Sequence, residues 1–408
     1  MSGHAHETIG VRGNKWRTQV TNCGMLIPRD GSAPMLWRVA ADDRWYVPEN
    51  ESTLRQKWLA GTPVAETRLH VPGGDIVQRI FCVADLGGMT VMEFVNESTL
   101  PVVIALSRND VLTTHPPSDV APLGIEMPSN SLVLPLGHQS SVRTALLHSN
   151  PHAGHLPDTT AGYMQVLNGW ETACEVASRV VLPDQSLCSR LTAVRSKLLL
   201  DVAVDDVDTD SNAEHSVIER IRLGDFNSDS ILDVVRVVER RIKRERKSSM
   251  LSWDTAHLLT TAASVCAHHN EDAAVDDIAR AWLRLADNSV EPIPDEAPED
   301  HLLAAWLESL LAQPSASGGV VKLLPRGIPK PWWGQNFQCH RLVADARRQV
   351  SYAVRWHGAL PALLWEVHGQ PGLVLTAGHS GLESSSWSST QAAGETLLEA
   401  PTAPNSVK

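Results

Sequence analysis

GTPVAETRLHVPGGDIVQRIFCVADLGGMTVMEFVNESTLPVVIALS, residues 61 to 107, is the stretch that decides the fold of this chain. Short runs of β-prone residues alternate in it with Gly73-Gly74, with Gly87-Gly88 and with the segment from Asn96 to Ser98. Glycine adopts the positive φ angles that tight hairpin turns require, and Asn and Ser also favour turns. The stretch therefore predicts an antiparallel meander and fixes how the chain begins.

The same kind of pattern continues over residues 15 to 148. Further β-prone runs occupy residues 35 to 40, 129 to 135 and 140 to 147, and a proline-rich connection separates the last two from the meander. About eight strands without helical periodicity are typical of two packed sheets. We therefore predict an antiparallel β-sandwich domain over residues 1 to 168.

From about residue 169 the apolar residues recur with the period of an α-helix. Acidic strings at residues 201 to 212 and 287 to 300 interrupt the series as solvated loops. The pattern predicts a helical domain over residues 169 to 313. It contains about seven helices, at residues 170–182, 185–200, 214–223, 229–247, 255–268, 272–286 and 302–312.

Strand patterns return after a linker-like segment at residues 313 to 319. Between residues 350 and 367, every second residue is apolar on both sides of Gly358-Ala359. A two-residue turn at that point places Tyr352 opposite Trp365 and collects both apolar sets on one face. We predict a C-terminal antiparallel β-domain over residues 314 to 400 and a disordered tail over residues 401 to 408.

The predicted fold class is therefore a multidomain β + α + β arrangement. It consists of an antiparallel β-sandwich, a helical middle segment of partial α/α type and a small C-terminal antiparallel β-domain. A chain of 408 residues is long enough for two or three such domains.

The composition limits the possible partners. The net charge of −12 argues against a nucleic-acid partner, because binding to phosphates needs clustered Lys and Arg. The one basic run, residues 236 to 247, is predicted to be the solvated face of an amphipathic helix. No secretory leader and no apolar run long enough to span a membrane is visible, and no cysteines form a C-x-x-C pair. We therefore expect a cytoplasmic protein without a nucleic-acid or membrane partner.

The chain has 13 Trp but only three Tyr and four Phe. Trp stacks on sugar rings, but it also fills cores and interfaces. Trp332 and Trp333 lie between prolines and a glycine in GIPKPWWGQNF, with no periodicity that would bury both rings. For this pair we predict contact with a ligand or with another domain. We also expect the fold to survive the loss of both rings.

Glycoside hydrolysis needs two carboxylates that flank the scissile bond. Glu171, Asp254 and Glu366 each follow a Trp and are candidates, but no two of them are paired by their spacing. The hairpin register places Glu366 on the polar face, opposite Ser351 and within reach of Arg355. A surface ion pair is therefore the favoured role of Glu366.

One segment begins like a calcium-binding loop. Asp225, Asn227 and Asp229 match its first three ligand positions, but Ser230 and Arg236 occupy the positions of the turn glycine and the final acid. We therefore predict that the segment starts a helix, with Ser230 or the neighbouring Ser228 as its cap.

Three histidines, His148, His152 and His155, are close enough in sequence to share a metal ion. They lie in a loop rich in Gly and Pro, and no fourth ligand has the right spacing. A polar loop is the favoured interpretation, and we expect neither a metal nor a cofactor.

The order of the three segments resembles that of bacterial glycogen-debranching and glucoamylase-type glycosidases. VMEFVNESTLPVVIAL (91 to 106) is similar to the paired strands of their N-terminal domains, and VSYAVRWHGALPALLWEV (350 to 367) is similar to the closing β-region of bacterial relatives. The resemblance implies a β-sandwich ahead of an α/α toroid. A complete toroid has about twice as many helices as are predicted here, and no residue matches the acid or the base of that family.

Three functions are compatible with these observations. The first is a non-catalytic, carbohydrate-related binding or regulatory protein, built as a shortened and degenerate relative of those glycosidases. The second is an active α-glycosidase with a site between the helical and β domains that uses Glu171, Asp254 or Glu366. The third is a scaffold protein whose Trp residues contact protein partners. We adopt the first, with carbohydrate as the expected ligand and no catalysis.

Overall fold

A computed structural model describes residues 6–42, 44–118, 131–200, 213–248, 250–285, 289–316, 318–358, 360–377 and 387–399. The predicted acidic loop at 201–212 and the predicted tail at 401–408 lie outside these residues. The chain divides into two compact units, the first made of Met1–Thr172 and Leu199–Ala203 and the second of Ala173–Leu198 and Val204–Lys408. The predicted domain boundary at residue 313 falls inside the second unit. Antiparallel sheets and helices are both present, so the predicted combination of β and α structure is confirmed.

The described part of the first unit consists mainly of strands. There are more of them than predicted, because strands of two or three residues show no alternation that a sequence pattern could reveal. Their sheet orders are β1-β2-β3, β12-β10-β4-β5 and β14-β11-β13-β9-β8-β7-β6 for the strands β1 (His6–Gly10), β2 (Arg17–Thr21), β3 (Leu26–Pro28), β4 (Trp37–Ala41), β5 (Arg44–Tyr46), β6 (Arg55–Trp58), β7 (Ala65–Val71), β8 (Gly74–Val83), β9 (Met89–Asn96), β10 (Val102–Leu106), β11 (Leu112–Thr113), β12 (Leu132–Leu136), β13 (Ser141–Leu147) and β14 (Gly154–His155). The four-stranded and seven-stranded sheets share one apolar core, which includes Val39, Ile80, Phe94, Ile104 and Leu134.

The predicted meander is correct for three strands and wrong for the fourth. β7, β8 and β9 pair in sequence order, and the glycines in both of their turns have positive φ. β10 pairs instead with β4 and β12 in the other sheet. At the crossing, the Asn96 side chain donates hydrogen bonds to the carbonyls of Leu100 and Gly137. The apolar alternation is alike in both sheets, so it does not distinguish a hairpin from a crossing.

Seven helices lie in the described residues, and none of them is long and apolar enough to cross a bilayer. Two begin and end where the sequence predicts, and most of the others differ by a few residues. The helices are α1 (Tyr163–Cys174), α2 (Gln185–Leu200), α3 (Ala213–Arg222), α4 (Ser230–Glu245), α5 (Thr255–His268), α6 (Asp272–Leu285) and α7 (Asp300–Leu311).

The second unit also contains three sheets in its described residues, with the orders β15-β20-β21-β22-β25, β18-β19-β23-β24 and β16-β17. The predicted helix at 170–182 is wrong in its second half, because the chain there forms β15 and pairs with β20. The strands are β15 (Arg179–Val181), β16 (Met250–Leu251), β17 (Ser289–Val290), β18 (Ala312–Pro314), β19 (Val320–Leu323), β20 (Phe337–Asp345), β21 (Arg348–His357), β22 (Leu360–Gly369), β23 (Val374–Ala377), β24 (Ser388–Ser389) and β25 (Ala393–Leu397).

The predicted hairpin register is confirmed. Tyr352 lies opposite Trp365, and the register continues to His357 opposite Leu360. The turn residue Gly358 has a φ of 66°, which is the positive value that the prediction requires. The apolar face of β21 and β22 shares its core with Leu307 and other residues of α7. The helices and the C-terminal strands therefore belong to one folded unit.

Candidate functional site

The helical part of the second unit buries a network of charged side chains around Glu308 of α7. Both Glu308 carboxylate oxygens accept hydrogen bonds from Arg222 of α3 at 3.0 Å. Glu308 also accepts from Arg195 of α2 at 3.2 Å and from the Ser178 hydroxyl at 2.6 Å. The Nε2 atom of His257 in α5 lies 2.9 Å from the same carboxylate. Elements far apart in sequence therefore converge on one buried charge.

Glu219 of α3 also belongs to this group of charged side chains. It accepts a hydrogen bond from Arg195 at 2.8 Å and one from Arg222 at 2.7 Å. Glu219 and Arg222 lie three residues apart and therefore share a helix face with His215, which precedes Glu219 by four. A single face of α3 thus places a carboxylate, a guanidinium and an imidazole in the interior.

A second ionic group forms around Asp254, which directly precedes α5. Asp254 binds Arg241 of α4 through two hydrogen bonds of 3.0 and 2.8 Å. The Nε2 atom of His215 lies 2.7 Å from the same carboxylate. Glu214 accepts from Arg241 and from Arg244, each at 2.9 Å. Arginines and carboxylates again pair in the interior, beside the apolar core of the helices that includes Val234 and Leu258.

The two histidines bring these groups together. The ring centroids of His215 and His257 are 5.8 Å apart, and the ring planes are inclined at 30°. Both rings line a narrow crevice, together with Glu219, Thr261 and His301. His257 and Thr261 also line a second narrow crevice, beside Glu308.

Burial and neighbouring charges set the ionisation of these groups. Burial acts to raise the pKa of Glu308, but the charge of Arg222 and the hydrogen bond from His257 outweigh it and hold that pKa far below its ordinary value. Burial likewise acts to raise the pKa of Asp254, but His215 and Arg241 outweigh it and hold that pKa far below its ordinary value. Burial lowers the pKa of His215. At neutral pH both carboxylates are ionised hydrogen-bond acceptors, and neither can act as a general acid.

Of the three candidate carboxylates, the structure places only Asp254 in this network. Glu171 is half-buried on α1, in the first unit. Glu366 is exposed on β22 opposite Ser351, as the register predicts. The side chain that lies near Glu366 is His368, at 3.7 Å, whereas the guanidinium of Arg355 binds the carbonyl of Phe337 and the side chain of Gln338.

The two neighbouring Trp residues have different surroundings. Trp332 is only 7% exposed and packs edge-on against Phe337, with ring centroids 5.2 Å apart. Trp333 is half-buried and donates its indole N–H to the carbonyl of Ile328 at 2.9 Å. The expectation that neither ring belongs to a core is therefore wrong for Trp332. The reason is that an irregular, proline-bounded segment can be buried without showing any periodicity.

The calcium-like segment starts a helix, as predicted, but neither Ser228 nor Ser230 caps it. The Asn227 side chain accepts a hydrogen bond from the backbone N–H of Asp229, and the Ser230 hydroxyl accepts one from the backbone N–H of Asn227. Asn227 thus forms an Asx turn just before α4, and the N-cap residue Asp229 makes no side-chain capping bond. The predicted cap is wrong, because Ser230 is the first residue of α4 and its hydroxyl binds the chain that precedes the helix.

The three histidines of the N-terminal unit are dispersed. His148 is buried and stacked on Trp16, whereas His152 and His155 are exposed and line an open groove. Within the described residues, no three His, Cys, Asp or Glu side chains converge on a point that could hold a metal ion.

Sequence reasoning missed most of the charged network. The prediction that the basic run of α4 is entirely solvated is wrong at Arg241, which is buried with Glu245. A signal was present, because Arg241 and Glu245 continue the helical spacing of the buried residues Val234 and Val238. The signal is ambiguous, since charged residues at such positions usually end the apolar stripe.

No model of a known protein family matches this chain, and no curated protein matches it significantly.

Proposed function

We propose that this protein is a non-catalytic, carbohydrate-related binding or regulatory protein that works in the cytoplasm. Its architecture would be that of a glycosidase-like protein, with a β-sandwich ahead of a shortened α/α layer and a C-terminal β-region. The sequence resemblance and the seven helices of the described residues support this architecture.

One observation carries the non-catalytic part of the proposal. The buried carboxylates of the helical region are each held by arginine, and the pKa values of Glu308 and Asp254 are lowered. A glycosidase needs one carboxyl group that stays protonated near neutral pH, which requires a raised pKa. The environment of these carboxylates has the opposite effect.

The first test is an assay of the purified full chain on α-glucans and small α-glucosides, with an active glucoamylase as the positive control. We expect no hydrolysis. Turnover that disappears on Glu171→Gln, Asp254→Asn or Glu366→Gln would refute the proposal and establish the enzyme.

The second test concerns sugar binding. Trp333 is the more accessible ring of the Trp pair, so its face is the expected contact for a sugar ring. Calorimetric titration with maltooligosaccharides should show binding that Trp333→Ala abolishes and that Trp282→Ala, a change at a half-buried ring on α6, leaves intact. Absence of binding to the unaltered chain would remove carbohydrate from the proposal.

A further inference from the structure

We propose that this protein forms a twofold-symmetric dimer through the outer face of its five-stranded sheet β15-β20-β21-β22-β25, on which a second copy of the chain is the partner. The other face of this sheet packs into the apolar core that it shares with α7. The dimer surface lies in the second unit. It does not depend on the proposed function, because neither Trp333 nor a sugar takes part.

The sequence of β22 is that of a strand with two covered faces. Residues 360 to 367, LPALLWEV, are apolar at every position except Glu366. A strand with one face in water alternates apolar and polar residues, whereas a nearly continuous apolar run is typical of a strand that is buried on both faces. Leu363 and Trp365 are buried in the core, but Leu360 and Leu364 on the outer face are 40% and 36% exposed. The described residues of the chain therefore cover only one face of β22.

The exposed leucines belong to one apolar patch. Ala362 lies between Leu360 and Leu364 on the outer face of β22. Its partner on β25 is Leu397, which is 60% exposed. On the other side of β22, the small side chain of Ala353 lies opposite Leu364. Isolated exposed leucines are common, but a contiguous apolar patch marks an interaction surface. Three neighbouring strands thus supply an apolar centre for the dimer.

Charges of opposite sign flank this patch. Arg355 lies on β21, whereas Glu366 and Glu395 lie on β22 and β25. The Arg355 guanidinium donates hydrogen bonds to the Phe337 carbonyl at 3.2 Å and to the Gln338 side chain at 2.7 Å, and both of these acceptors are neutral. Among the described residues, Arg355 has no carboxylate partner and Glu395 has no basic partner. Each copy can therefore offer a cation and an anion to the other.

A half-turn about an axis that runs parallel to the strands, between β21 and β22, brings these features together. It lays β21 of each copy on β22 of the other. Leu364 then packs on Ala353 of the second copy, because the two residues lie opposite each other within one copy, and large side chains over small ones interdigitate between packed sheets. The Cα atoms of Arg355 and of Glu395 of the second copy are offset by about 8 Å in the sheet plane, which two long side chains span. The twofold axis forms both contacts twice.

The size of the face suits a dimer that dissociates on dilution. The same half-turn lays β20 on β25 of the second copy, so that four strands of each copy overlap. The three longest, β20, β21 and β22, have 9, 10 and 10 residues. At the usual spacings of strands and residues, the dimer buries roughly 1,100 Å² in all, above the ~1,000 Å² that a specific interface needs and below the typical ~1,600 Å².

The first test is sedimentation velocity of the full chain between about 1 and 100 μM, where we expect a concentration-dependent dimer. The double variant Leu364→Glu/Leu397→Glu brings carboxylates into the patch beside Glu395 and should weaken dimerisation by about tenfold or more. Leu283→Glu is the matched control, because Leu283 is 50% exposed on α6, away from the sheet. It should dimerise like the unaltered chain. Near-ultraviolet circular dichroism checks that each variant is folded.

The second test reverses the charges. Glu395→Arg and Arg355→Glu each place like charges across the interface, so each variant alone should dimerise weakly. An equimolar mixture of the two should recover the dimer, because every mixed pair regains two contacts between opposite charges. A chain that stays monomeric at every concentration would overturn the proposal. Dimerisation that survives in the folded leucine double variant, that is lost in Leu283→Glu, or that the mixture fails to restore would also overturn it.

Discussion

Under β21 and β22 the second unit buries Val350, Tyr352 and Leu363, whereas among its helices it buries Arg195 and Glu308. The apolar residues need only neighbours of suitable shape, so a pattern of alternation is enough to place them. Each buried charge needs a specific partner, and Arg195 finds Glu308 across 113 residues of sequence. The comparison teaches that a core of the first kind can be predicted from local pattern, whereas a core of the second kind cannot.

The apolar core and the buried ionic network also differ in how substitutions reduce their stability. An apolar core loses stability in proportion to the volume removed. A buried ionic network can be no more stable than an apolar replacement, yet it is strongly destabilised when a single partner is removed, because an uncompensated charge remains. Four substitutions or conditions test this difference.

The largest effects, similar in size, are expected for Glu308→Ala and for Trp332→Ala. Glu308→Ala leaves the buried guanidinium groups of Arg195 and Arg222 sharing one carboxylate, that of Glu219, and should lower the free energy of unfolding by about 3–5 kcal/mol in urea denaturation. The matched control is Glu366→Ala on the exposed face of β22, which should stay within about 0.5 kcal/mol of the unaltered chain. Equal effects of Glu308→Ala and Glu366→Ala would mean that the network contributes nothing specific.

Trp332→Ala tests the apolar interior. Loss of the buried ring should lower the free energy of unfolding by about 3–5 kcal/mol, because it leaves a cavity beside Phe337. Trp333→Ala removes a ring of the same size that is only half-buried, and we expect roughly 1–3 kcal/mol. Thermal and chemical denaturation of both variants measure these losses. A larger loss for Trp333 would reverse the assignment of core and surface.

Gly358→Val tests the turn of the hairpin. A Cβ atom at Gly358 meets nothing within 4 Å, so the cost arises from the positive φ alone. We expect a loss of about 1–3 kcal/mol. Gly358→Asn is the control, because Asn tolerates this conformation far better than Val. Equal stability of the Val and Asn variants, measured by urea denaturation, would contradict the strained-turn explanation.

The smallest effect is the response to acid. Because the folded-state pKa values of Glu308 and Asp254 lie below those of the unfolded chain, the stability they contribute is complete above the unfolded values and is lost as the pH falls. From pH 7 to pH 4 the two groups together should account for about 1 kcal/mol. Urea denaturation at both pH values measures the decline, which should be smaller in Glu308→Gln. An undiminished decline in that variant would assign the acid sensitivity to other groups.

Particular elements show how far sequence patterns reach. The hairpin of β21 and β22 was predictable to the residue, because a one-residue slip would expose one of its two apolar sets. The helices α2 and α5 were predictable at both ends. β10 was not placed correctly, because the choice of sheet depends on β4 and β12, which are distant in sequence.

Of the candidate site, only Asp254 was predicted from the sequence. The reason for that prediction differs from the role that Asp254 has in the structure. Its neighbour Trp253 suggested a sugar site, whereas the structure gives it Arg241 and His215 as partners. The pairing of His257 with Glu308 had no sequence signal, since the two residues lie 51 positions apart on different helices.

The amino-acid sequence by itself determined the order of β and α segments, the apolar faces of most helices and the register of the C-terminal hairpin, because these depend on neighbours within a few residues or on a single turn. The tertiary structure alone decided which sheet β10 joins, that Trp332 is buried, and that His215 and His257 meet. These last features depend on long-range packing, in which a buried charge or ring is stable only where a partner from another part of the chain arrives.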